Sequence, residues 1–173
     1  MRAGRGTLAE SPGCVILCGV LRRLVICALS LALLTGGATA FAGTLKGTNG
    51  PDRLVGTAGA DKINGRAGDD DLRGGPGNDK LNGGPGNDLI SGDAGNDSLI
   101  GGPGADSLLG GSGADRIDAR GGPGDVVLGG DGRDRIEAVD GARDKISCGA
   151  GRDTVRADKV DSVARDCESV KRG

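Results

Sequence analysis

The sequence predicts an all-β fold in which very short parallel strands stack into a coil. Three observations lead there. A nine-residue unit recurs eight times without interruption from Gly47 to Asp118. Every unit has Gly at positions 1 and 4, Asp at position 6, and Leu or Ile at position 8. The 173 residues include 37 Gly but one Phe and no Tyr, Trp or His, too little bulky apolar side chain for an ordinary core. Self-similarity at a short fixed period decides the architecture before any element is read singly.

Residues 1–42 read as an N-terminal extension and a signal peptide. Arg22 and Arg23 supply a positive segment, and Leu24 to Leu34 form an apolar run expected to be a signal helix. Ala38-Thr39-Ala40 and Ala40-Phe41-Ala42 both fit a cleavage site. The run is shorter than the roughly 18–20 residues a membrane span requires, so no span is expected after processing and the mature chain is expected outside the cell.

Residues 43–118 hold the strict repeats. Each unit reads as six loop residues followed by a three-residue strand. Gly at positions 1 and 4 is expected to supply positive φ in a recurring turn. Asn78, Asn87 and Asn96, at position 5, tolerate the same geometry. Pro76, Pro85 and Pro103 fall in loops, where a missing N–H costs no ladder bond. Position 8 turns one aliphatic side chain inward: Leu54, Ile63, Leu72, Leu81, Ile90, Leu99, Leu108, Ile117. Each unit is half a turn of the coil, so two units close a turn. Strands about 4.8 Å apart then form two parallel sheets around a narrow aliphatic seam.

Residues 119–156 continue the coil in degenerate form. Asp125, Asp134, Asp144 and Asp153 are each followed two residues on by Val127, Ile136, Ile146 and Val155. Their spacing alternates between ten and nine, so each turn is longer by a single residue. Ala138 and Cys148 stand where position-1 Gly is expected. Residues 157–173 read as a cap, with Val160, Val163 and Val170 covering the open end. Cys148 and Cys167 are separated by this lengthened turn and so stack within reach of a disulfide. Secretion would supply the oxidising compartment; the alternative is two free thiols at loop positions.

With two units per turn, Asp52, Asp70, Asp88 and Asp106 stack on one edge and Asp61, Asp79, Asp97 and Asp115 on the other. Near a surface, carboxylates one strand spacing apart repel by about 3–4 kcal/mol per neighbouring pair. Such a column is unfavourable unless a cation lies within it. Glycine loops direct backbone carbonyls into the same gaps, so the donors are all oxygen. That set suits Ca²⁺, whereas Mg²⁺ keeps its waters and Zn²⁺ finds neither His nor enough thiolate. A thin seam is a weak offset for ordering a Gly-rich chain, so the chain is expected to fold on binding metal.

GGPGNDKLN and GGPGNDLIS resemble the RTX, or haemolysin-type, calcium-binding nonapeptide GGxGxDxUx. The resemblance is strict over 47–118 and loose to about 156. It implies a parallel β-roll, a right-handed β-solenoid, with calcium between one loop and the next loop on the same edge. In that family the loop carbonyls and the position-6 Asp of both loops ligate the ion. On this chain the resemblance pairs Asp52 with Asp70, Asp70 with Asp88 and Asp88 with Asp106. On the other edge it pairs Asp61 with Asp79, Asp79 with Asp97 and Asp97 with Asp115. That makes about six Ca²⁺ sites, with Asp125 and Asp134 as further, weaker candidates. The carbonyl donors implied are those of Gly74, Gly75, Gly77, Gly83, Gly84, Gly86, Gly101, Gly102, Gly104, Gly110, Gly111 and Gly113. Position 2 departs from Gly at Thr48, Thr57, Arg66 and Asp93. The family's type I exported members use an uncleaved C-terminal signal, unlike the N-terminal one here. The tail CGAGRDTVRADKVDSVARDCESV resembles the cysteine-containing ends of small secreted actinobacterial repeat proteins.

Other classes fit poorly. Residues 47–118 carry 12 acidic and 6 basic residues, a net −6 with no aromatic, which argues against a nucleic-acid partner. An EF-hand beginning at Asp69 fails, because Arg73 and Lys80 fall at its fifth and twelfth positions. With no His, no HExxH and no G-x-S-x-G, no enzymatic activity is expected. The remaining alternative is an extracellular adhesion or partner-binding protein whose calcium is structural. No residue pattern specifies the protein or cell-surface partner it would take.

Overall fold

The computed structural model describes residues 24–26 and 42–173. Among these residues there are only strands and loops, and no helix is long and apolar enough to cross a membrane. The strands form two parallel sheets. One contains β1 (Leu24–Ile26), β3 (Arg53–Val55), β5 (Asp71–Pro76), β7 (Leu89–Ala94), β9 (Ser107–Ser112), β11 (Val126–Gly132), β13 (Lys145–Gly151) and β15 (Ser162–Val163), in that order. The other contains β2 (Thr44–Lys46), β4 (Lys62–Asn64), β6 (Lys80–Asn82), β8 (Ser98–Ile100), β10 (Arg116–Asp118), β12 (Arg135–Ala138), β14 (Thr154–Ala157) and β16 (Ser169–Arg172). Successive strands alternate between sheets, so each pairs with the strand one turn on: Leu72 with Ile90, Leu108 with Val127, Ile136 with Val155. This is an all-β parallel solenoid. The expected signal helix lies outside the described residues, apart from Leu24–Ile26, which pair with β3.

The core is the seam the period requires. Leu45, the eight position-8 residues from Leu54 to Ile117, and then Val127, Ile136, Ile146 and Val155 are all buried between the sheets. Each contributes about 1.5–3 kcal/mol relative to exposure. A single file of aliphatics, two per turn, makes this core one side chain thick.

Four local expectations need correction. Positive φ falls at positions 2 and 4, as at Gly75 (100°) and Gly77 (142°), and not at position 1. At position 1 Gly is needed for space: a Cβ on Gly47 would stand 2.6 Å from the Asp52 carboxylate. Asn at position 5 is not left-handed either; it builds an outer ladder. The side-chain oxygens of Asn78, Asn87 and Asn96 accept the N–H groups of Asn96, Ala105 and Ala114 one turn on, at 2.7–2.9 Å. From β5 to β13 one sheet's strands run six or seven residues, into the next loop, and Pro76 ends β5 opposite Ala94. At the end of the coil only Val163 of the three valines packs on the core; Val160 and Val170 are exposed. Among the described residues β16 is the edge strand of its sheet, and none of them lies over Val170.

Position 2 accepts two non-glycine residues with positive φ, Arg66 (84°) and Asp93 (74°). Asp93 is held by Arg73 at 2.9 Å and by the Ser91 hydroxyl at 2.8 Å. Cys148 and Cys167 are joined as a disulfide with their Cα atoms 5.1 Å apart, and both pack on the core.

Candidate metal centre

The position-6 aspartates lie where each loop re-enters a strand, and the coil stacks them in two columns. A first edge carries Asp52, Asp70, Asp88, Asp106, Asp125 and Asp144; a second carries Asp61, Asp79, Asp97, Asp115, Asp134 and Asp153. All are at most 4 % exposed. The two oxygens of each carboxylate have different duties. One Oδ1 accepts the backbone N–H of the aspartate one turn earlier: Asp52 to Asp70 at 2.8 Å, Asp79 to Asp97 at 2.8 Å, Asp115 to Asp134 at 2.9 Å. These bonds run up both edges, and at the top Asp161 and Glu168 supply the last acceptors, to Asp144 and Asp153.

The other oxygen has no partner. Asp70, Asp79, Asp88, Asp97, Asp106, Asp115, Asp125, Asp134, Asp144 and Asp153 each hold a buried Oδ2 without a hydrogen bond. Leaving a charged acceptor buried and unsatisfied costs several kcal/mol unless something compensates it. Burial is the first cause pushing Asp70, Asp97, Asp106, Asp125, Asp134 and Asp144 up to about 6. The N–H bond from the turn below pulls each of them down, and facing carboxylates add to the rise. Asp79, Asp88 and Asp115 are raised for the same leading reason.

Position-1 glycine gives that oxygen its surroundings. A Cβ on Gly74 would meet Asp79 Oδ2 and stand 2.8 Å from the Gly92 carbonyl oxygen; one on Gly83 would meet Asp88 Oδ2 and stand 2.9 Å from the Gly101 carbonyl. The space a side chain would fill is thus lined by a carboxylate and a carbonyl from the next turn. Among the described residues no three His, Cys, Asp or Glu side chains converge. A cation seated here would therefore draw on one or two carboxylates and otherwise on main-chain oxygen, the hard donor set that Ca²⁺ accepts.

A family model described as the RTX calcium-binding nonapeptide repeat matches in four copies, over residues 46–81, 74–108, 82–117 and 91–124. The chain carries RTX calcium-binding repeats. Repeats of this family bind Ca²⁺, and the unpartnered oxygens and glycine cradles fit that ion. No curated protein and no solved structure matches the chain.

The columns contain every RTX aspartate expected from the sequence, and the coil brings those residues together as expected. Asp144 and Asp153, which the spacing places on the two edges without naming them as ligands, continue the columns as deeply buried, unpartnered members. Two features were missed. Asp161 and Glu168 end the columns. Thr48 and Thr57 satisfy their own loops: each donates its N–H and, at 2.9 and 3.0 Å, its hydroxyl to the Oδ2 of Asp52 and Asp61. Their departure from Gly at position 2 was the available signal.

Proposed function

We propose that the mature chain is a secreted protein that binds about six calcium ions between its stacked loops and folds as it binds them. The ligands are the position-6 aspartates together with loop carbonyls of neighbouring turns. One observation carries this reading: a row of buried carboxylate oxygens with no protein donor to neutralise them, of which those of Asp70, Asp79, Asp88, Asp97, Asp115 and Asp134 face a carbonyl across the space a glycine leaves open. A core one side chain thick points the same way, since it gives the metal-free chain little else to hold its order. The role is that of a binding module rather than an enzyme. Isothermal titration with calcium, paired with circular dichroism, tests it. Several ions per chain should bind as the β signal appears; an unchanged β signal in excess chelator would refute coupled folding.

A second reading, partner binding with structural calcium, draws on one surface. Leu89, Val126 and Leu128 are exposed on the outer face of the sheet containing β7 and β11, and Leu109 pairs beside Leu128. Pull-down from culture medium with and without calcium separates the readings.

A further inference from the structure

The glycine cradles are not equivalent along the coil. At Gly65, Gly74, Gly83, Gly92, Gly110 and Gly129 an added Cβ would meet both an Asp Oδ2 of the same loop and the position-1 carbonyl of the next turn, and each of those Oδ2 atoms is unpartnered. Two further cradles, at Gly47 and Gly56, have the same two oxygens, but their carboxylates are closed by Thr48 and Thr57. At Gly101 the three nearest atoms all belong to Asp106, and no carbonyl of the next turn comes as near.

The reason for the break at Gly101 is one turn further on. The register places Ala119, Ala138 and Ala157 above Gly101: Gly101 N–H bonds to Asp118 and Ala119 N–H to Glu137, and Ala138 pairs with Ala157. All three alanines are fully buried. A methyl at position 1 of a standard loop collides with the position-6 carboxylate, as the geometry at Gly101 shows. The residue that lengthens the turn is inserted between Ala119 and Asp125, and again between Ala138 and Asp144. The insertion makes room for the methyl where the cradle would be. The second edge keeps standard loops at Gly110 and Gly129, with φ in the left-handed range at Gly111, Gly113, Gly130 and Gly132. Its next position 1 is Cys148, whose carbonyl lines the Gly129 cradle and whose side chain is tied to Cys167.

We infer that the calcium array is shifted toward the C-terminus on one edge: cations sit in the cradles of Gly110 and Gly129, involving Asp115, Asp134 and the Cys148 carbonyl, while the loops of Asp52 and Asp61 hold none. The Gly129 loop lies beyond residue 124, where the matched repeats end. Asp125, as buried and unpartnered as Asp134, carries no site of its own because alanine occupies its cradle. Thr48 and Thr57 each give two donors to the cradle-facing Oδ2 of Asp52 and Asp61, so these two loops offer no free Oδ2 to an ion.

This inference rests on the calcium reading, and stoichiometry by isothermal titration of the full chain distinguishes the two. Asp61→Asn should leave the number of bound ions unchanged, and Asp134→Asn should lower it by at least one. Gly129→Ala fills the same cradle without altering the carboxylate and serves that arm if Asp134→Asn does not fold, as judged by circular dichroism in calcium. Thr48→Gly with Thr57→Gly should raise the number by up to two. No calcium bound by the unaltered chain overturns the parent reading. Calcium bound, with Asp61→Asn lowering the count or with both Asp134→Asn and Gly129→Ala leaving it unchanged, overturns only the shifted array.

Discussion

Replacing Asp97 by Asn should act in opposite directions with and without calcium. The substitution keeps the Oδ1 acceptor that binds the Asp79 N–H at 2.8 Å. It removes the charge on the buried, unpartnered Oδ2. Burial first, then the facing Asp115 and Asp79, hold the Asp97 carboxyl at about 6 against a usual 3.8. At neutral pH that corresponds to at most about 3 kcal/mol carried as a penalty by the metal-free fold. In chelator, with sucrose added to maintain a measurable folded fraction, Asp97→Asn should raise the β signal relative to the unaltered chain. In the proposed calcium site the same oxygen is a ligand at the Gly92 cradle, and losing a charge-assisted contact of about 1.5–3 kcal/mol should weaken that site ten- to a hundredfold. The midpoint of the calcium-induced β signal should rise accordingly. Circular dichroism in the two buffers reads both arms. Destabilisation by Asp97→Asn in chelator as well would refute the view that the column is held in charge conflict until cations arrive.

The same raised carboxyls fix a pH dependence. Between about pH 4 and 6 the metal-free fold binds more protons than the unfolded chain, so its stability is greatest below that window and falls as pH rises through it. In chelator, acidification from pH 7 to 5 should therefore increase the folded fraction, and a fall in β signal would contradict it. Leu99→Ala, which opens a void in a seam one side chain thick, should cost about 2–5 kcal/mol in calcium by denaturant titration. Joint Cys148→Ala and Cys167→Ala should lower stability by about 3 kcal/mol for a 19-residue loop, with increased amide exchange confined to β13–β16. Mass spectrometry with and without reductant checks the bridge itself.

The period made the coil readable, because Asp at every ninth residue and an aliphatic two residues later allow one stacking only. Both edges, the alternating sheets and the lengthened C-terminal turn follow from that spacing. Residues whose reason lies in the next turn were not readable. Gly at position 1 has the composition of a turn glycine, yet what excludes a side chain there is a carboxylate five residues on and a carbonyl one turn away. Asn87 has the composition of a left-handed residue, but its partner is Ala105. The inserted residue before Asp125 resembles simple degeneration until Ala119 is placed above Gly101. In each case a deciding contact is a full turn distant, and its chemistry shows only when turns are superposed.

The bonds along the two edges all point one way: each aspartate donates its N–H to the aspartate that comes later in the chain. The coil is therefore a one-directional polymer, in which no turn is finished until its successor has arrived. A chain made from its N-terminus always has an incomplete growing end, and the structure can close only when Asp161 and Glu168, near the last residue, supply the terminal acceptors. Shortening the chain before those two residues would leave an open end that frays backward, one turn at a time.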